Sequence, residues 1–111
     1  MKAIHFTKDW NQKLSGPSVF TTIRRKSEYG HLKRGERVNV LLNNKPLFPA
    51  DVIEVLENDS SKANQFFRLV AMLDTGLTKP DAAFETLESL TAPETQWVII
   101  VLRREQVGLF D

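Results

Sequence analysis

"KLSGPSVFTTIRRK", Lys13 to Lys26, decides how this chain is read. Pro17 forbids a helix from running through it, and Gly16 is a good place for one to stop. After them come β-branched residues in period two. Val19, Thr21 and Ile23 fall on one face of a strand over 18–25; Phe20, Thr22 and Arg24 fall on the other. The run ends in three cations, Arg24, Arg25 and Lys26. A strand that alternates apolar and hydroxyl residues and closes on guanidinium groups is built to border a cleft as well as a core.

Working outward, "KAIHF" (2–6) predicts a first strand. "TKDWNQKLSG" (7–16) predicts a helix of about two turns, with Thr7 at its N-cap and Trp10 and Leu14 on one face. "YGHLKRGE" (29–36) predicts a loop, "RVNVLL" (37–42) a strand, and "NNKP" (43–46) a turn. "LFPADVIEVLE" (47–57) predicts another strand, with Pro49 at its start or on an edge because it cannot donate to a ladder. "NDSS" (58–61) breaks the chain. Residues 63–74 admit a helix, with Phe66, Leu69, Val70 and Leu73 inward, and also a strand through "FFRLVAML". "KPDAAFETLESL" (79–90) predicts a helix with Pro80 in the first turn and Phe84, Leu87 and Leu90 buried. "QWVIIVLRRE" (96–105) predicts a strand buried on both faces. Phe66, Phe67 and Phe84 are expected in the core, as are Trp10 and Trp97. Strands with helices gathered at one side give an α+β fold, a curled sheet or small β-barrel with two to three flanking helices.

The 111 residues suffice for one domain, 1–111. There is no cysteine, so disulfides and Cys-ligated metals are excluded. His5 and His31 stand alone, and no metal or cofactor is expected. No secretory leader and no membrane-length apolar run are read, which gives a cytoplasmic expectation without membrane contact. Residues 1–50 hold ten Lys and Arg against three acids, while 51–94 hold three against nine. A basic first half can attract polyanions, or the two halves attract each other across one fold. Six cations and two acids fall within 24–37. Arg24, Arg25, Lys26, Lys33, Arg34 and Arg37, with Tyr29 as a stacking platform, form a candidate surface for a nucleic-acid backbone. The acidic second half, around Glu85 and Glu88, is the alternative face for a protein partner.

"LSG" before a strand ending "TTIR", then "LKRGERVNV" (32–40) and "ADVIEV" (50–55), resembles the ASCH domain, a branch of the PUA-like β-barrels. The matching positions are Gly16, Thr22, Arg24 and Gly35, with Glu36 in place of the usual acid. "DTGLTKPDAAFETL" (74–87) is similar to the family's Gly-centred turn before a main helix. The resemblance covers roughly 3–105. It implies a PUA-like barrel with a cleft beside the Ser18–Arg25 strand, and RNA or nucleotide binding as the leading function. One bacterial subgroup hydrolyses the amide of acetylated cytidine with a threonine, a lysine and a glutamate. Thr22 matches that threonine and would be the catalytic residue under this alternative. The lysine position falls on Val19. The glutamate position falls near Thr75, beside Asp74. A threonine hydroxyl needs a base to become a nucleophile, and Lys13 and Lys26 lie at other offsets. The expectation is therefore a binding module rather than an enzyme.

Overall fold

The computed structural model describes residues 2–59 and 65–105. Among these residues five strands form one mixed sheet: β1 (Lys2–Phe6), β2 (Val19–Arg25), β3 (Arg37–Leu42), β4 (Lys45–Asp59) and β5 (Gln96–Arg104). The spatial order is β1-β3-β4-β5-β2, with β1 parallel to β3 and the other pairings antiparallel. Three α-helices accompany it: a one-turn α1 (Lys26–Tyr29), α2 (Gln65–Thr75) and α3 (Pro80–Thr91). The fold is α+β, with the sheet curled into a half-barrel, consistent with a PUA-like curled sheet. None of the described helices is long and apolar enough to cross a membrane.

Period-two patterning produces two cores, one on each face of the sheet. On the concave side, Phe20, Val38, Val40, Val52, Val98, Ile100 and Leu102 pack with Ile4, Phe6 and Leu14. On the convex side, Ile23, Trp97 and Ile99 meet Phe67, Val70, Phe84 and Leu87 of α2 and α3. Trp97 lies 5.1 Å from Phe67 and 5.5 Å from Phe84, ring centre to ring centre. Because β5 feeds both cores, its sequence is almost continuously apolar.

The β3–β4 hairpin turns on Asn43 and Asn44, both at positive φ (51° and 66°). That is the geometry a two-residue hairpin favours, and Asn tolerates it. Pro49 lies inside β4, opposite Asn39, just before the pairing with β5 begins at Ala50. Its missing N–H therefore costs no ladder bond to β5.

Three expectations are corrected. Segment 7–16 is no two-turn helix; only Trp10–Gln12 form a 3₁₀ turn, and Asn11 and Gln12 have left-handed φ of 55°. Asp9 explains this. Its carboxylate accepts from the Leu14 N–H at 2.8 Å and the Ser15 hydroxyl at 2.9 Å, and local side-chain bonds of this kind compete with a helix. The described part of 63–74 is helix, but its buried stripe is Phe67, Val70, Ala71 and Asp74. Phe66, Leu69 and Leu73 are half or more exposed. In α3, Phe84 and Leu87 are buried as expected, while Leu90 is 53% exposed. The "NDSS" break lies partly outside the described residues.

Candidate functional site at the seam of the half-barrel

A half-barrel has two free edges, here β1 and β2. Unpaired edge N–H and C=O groups must be satisfied, and the way this chain satisfies them creates a cleft. The cleft has a volume of about 240 Å³ and lies where the ends of β1 and β2 meet the 3₁₀ turn, α1, and the C-terminal ends of α2 and α3.

The open edge of β2 is closed by two side chains. Lys13 donates from Nζ to the Thr21 carbonyl at 3.1 Å, to the Asp74 carbonyl at 3.3 Å, and to Asp74 Oδ1. The other Asp74 oxygen, Oδ2, accepts from the Ile23 N–H at 3.4 Å. Thus Thr21 C=O and Ile23 N–H, which face away from β5, find partners on an ion pair. Both side chains are buried, with 6% and 8% of their surface exposed. Burial pushes the Lys13 ammonium below its ordinary 10.5, and the neighbouring Asp74 pulls it part of the way back. Burial likewise raises the Asp74 carboxyl above its ordinary 3.8, against the opposing effect of Lys13.

Arg24 bridges the two edges. Its Nε donates to Thr22 Oγ1 at 2.9 Å, and its Nη1 donates to the His5 carbonyl of β1 at 2.6 Å. The guanidinium lies over the rings of Phe6, 4.3 Å away, and Tyr29, 5.2 Å away. The His5 N–H donates to the Tyr29 hydroxyl at 3.4 Å. Burial lowers the Arg24 pKa, with Tyr29 the first opposing influence; an arginine nevertheless stays a cation. Thr22 is 2% exposed. Trp10, Leu87 and Leu90 supply the apolar walls. Trp10, expected in the core, is instead half-buried at the cleft, with Lys8 Nζ 4.4 Å above its ring.

Of the residues singled out in the sequence, Thr22, Arg24, Arg25 and Tyr29 line this cleft. Arg24 and Arg25 share it because β2 ends there and α1 begins. Arg25 is tied into the structure: Nε donates to the Thr91 carbonyl at 3.0 Å, Nη2 to those of Leu90 and Ala92, and Nη1 to Glu28. It caps the C-terminal end of α3, where carbonyls lack helical partners. Lys26, Lys33, Arg34 and Arg37 do not line the cleft. Lys26 pairs with Glu57 at 3.2 Å, Arg34 with Glu54 at 3.9 Å, and Arg37 with Glu105. Lys33 is exposed, and its backbone N–H donates to Glu36.

Lys13 and Asp74 are the pair that sequence spacing missed. Lys13 reaches into the cleft from the 3₁₀ turn, whereas Val19, the position at which the resemblance puts a lysine, is 48% exposed. Thr75, beside Asp74, also lines the cleft, but its hydroxyl donates to the Ala71 carbonyl within α2. Among the described residues no three His, Asp or Glu side chains gather as a metal site would need.

No protein-family model matches the chain. No curated protein matches it either. Among solved structures, the crystal structure of hypothetical protein PH0355 has the same fold, with a TM-score of 0.64 over 95% of this chain and 100% of that one, at 11% sequence identity. At that identity the likeness concerns the fold alone.

Proposed function

We propose that this chain binds a nucleoside- or nucleotide-sized ligand in the seam cleft. The observation that carries the reading is the fixed constellation of Thr22 and Arg24 between the Phe6 and Tyr29 rings, at the floor of a cleft with apolar walls. A rigid donor group at the floor and apolar sides suit a planar heterocycle with polar edges. The volume is below the range of about 300–1,000 Å³ of drug-sized sites, which favours one nucleoside over an oligonucleotide. The ASCH resemblance points to the same ligand class, and RNA binding through the 24–37 segment is the wider form of this reading. Most cations of that segment already face carboxylates, although exposed pairs of this kind are weak and exchangeable. Amide chemical-shift titrations with nucleosides, nucleotides and short single-stranded RNAs test the proposal. Saturable shifts at Thr22, Arg24 and Tyr29 with the small ligands support it. Shifts confined to 31–37 with RNA alone would move the function to the loop.

One observation favours a second reading, hydrolysis of an amide on such a ligand. The lysine that spacing did not supply at Val19 is present in the cleft as Lys13, next to a carboxylate. Moving the ammonium proton onto Asp74 leaves a neutral amine in the same cleft as Thr22. That amine can take the hydroxyl proton as the threonine oxygen attacks the acyl carbon and pass it to the departing amine as the C–N bond breaks, after which water hydrolyses the acyl-threonine ester. Release of cytidine from N4-acetylcytidine by wild type, lost in Thr22→Val, is the outcome expected. A folded protein that leaves the compound intact would end this reading without touching the first.

A further inference from the structure

The outer side of α2 is apolar. Phe66, Leu69 and Leu73 recur at intervals of three and four residues, so they form one stripe along the helix, and Leu77 follows just past its end. All four are exposed. The inner side of α2 is already committed: Phe67, Val70 and Ala71 belong to the convex core with Trp97 and Phe84. The stripe also carries no charge. The two ionisable residues of α2 are Arg68 and Asp74. Asp74 is buried with Lys13, and Arg68 donates to Asp81 of α3 at 2.8 Å. With side-chain surfaces of roughly 150–200 Å² each, exposures of 50%, 55%, 57% and 37% leave about 300–400 Å² of apolar surface on this side. A standard protein interface covers about 800 Å² on each partner, a little over half of it apolar. The stripe thus supplies most of the apolar share that one side of a stable dimer needs.

We propose that two copies of this chain associate through α2, helix against helix about a two-fold axis, with Phe66, Leu69 and Leu73 of each copy packed on those of the other. The three-then-four spacing is the one with which a helix meets another helix. In a two-fold, antiparallel pairing Phe66 faces Leu73 of the second copy and Leu69 faces its own counterpart, so the stripe is complementary to itself. Charge excludes the other classes of occupant. A nucleic acid or an acidic peptide needs free cations, and a lipid surface needs Lys or Arg along the flank of the helix. The one cation of α2 is tied to Asp81. The proposal concerns the convex side of the molecule and does not rest on the small-ligand reading of the cleft.

Two measurements test it. Sedimentation velocity of the full chain, from micromolar to sub-millimolar concentration, should show the mass rise from that of one chain, 12.7 kDa, toward twice that value. The double variant Leu69→Lys, Leu73→Lys should stay at the mass of one chain throughout. Leu47→Lys, which changes an exposed apolar residue of β4, should dimerise like wild type. The second measurement keeps the stripe apolar and uses the absence of cysteine from the chain. Leu69→Cys should form a covalent dimer under mild oxidation, and Leu47→Cys should not. It answers the question even where two lysines on α2 prevent folding. A wild type that keeps the mass of one chain at every concentration overturns the proposal. So does a dimer that survives the double variant in a folded protein, because the copies then meet on another face. Deletion of 106–111, "QVGLFD", separates the remaining occupant. If the full chain is monomeric and the shortened chain dimerises through Leu69, the stripe belongs to the chain's own end and the proposal falls.

Discussion

At the scale of single residues, the ion pair between Lys13 and Asp74 is the feature with the largest energetic consequence. Both groups are charged, buried, and bonded to the free edge of β2. Removing one partner of such a pair leaves an uncompensated buried charge and costs about 3–5 kcal/mol. Lys13→Met should therefore destabilise the protein by about that amount at pH 7, read by urea unfolding. Adding Asp74→Asn should recover a substantial part, because the amide oxygen still accepts from the Ile23 N–H and no charge remains. The pH dependence of the single variant has a definite sign. Without Lys13, the Asp74 carboxyl rises further above its ordinary 3.8. A carboxyl raised in the folded state contributes stability fully present below that ordinary value and lost as pH rises through the folded one. Lys13→Met should thus approach the stability of the double variant in acid and fall away from it toward neutral pH. Equal gaps at all pH values would show that Asp74 is not buried as described.

Elements bring other contrasts into view. The phase of α2 was not legible in the sequence, because apolar residues occupy both of its sides. Phe66, Leu69 and Leu73 make one plausible stripe; Phe67, Val70 and Ala71 make another, and contact with Trp97 and Phe84 selects the second. The energetic difference is testable on adjacent residues. Phe67→Ala should cost about 3–5 kcal/mol, whereas Phe66→Ala should cost well under half of that. For β2 the alternation was legible and its faces stand as read, with Phe20 and Ile23 in opposite cores. What the alternation could not show is that the strand is an edge needing side chains to complete it. Nor could spacing reveal the 3₁₀ turn, since Asp9 overrides a pattern that otherwise favours helix. The Arg25 cap on α3 belongs to this scale. Arg25→Ala should cost about 1–3 kcal/mol, with hydrogen-exchange protection lost first in the last turn of α3. Unchanged protection there would remove the capping role.

For the whole molecule, charge asymmetry and fold turn out to be one subject. The basic first half and the acidic second half meet in Lys13–Asp74, Lys26–Glu57 and Arg34–Glu54. Part of the surplus that reads in sequence as a polyanion surface is met by carboxylates within the fold. If the cleft rather than this surface carries binding, affinity for a neutral nucleoside should change little between low and moderate salt. A backbone-reading surface would lose affinity steeply as counterions are released. The sheet could be anticipated because each strand announces itself locally. A cleft beside β2 could be expected too, but not the rest of its floor, which joins residue 13 and residue 74 to residues 22–24 from three separate elements.

The measurement that bears most directly on this account is a crystal structure of the protein with a bound nucleoside that carries a carbonyl group. The account predicts the ring in the seam cleft, against Thr22 and Arg24 and beside the Tyr29 ring, with Arg24 still donating to the Thr22 hydroxyl. A nucleoside bound outside the seam would contradict it.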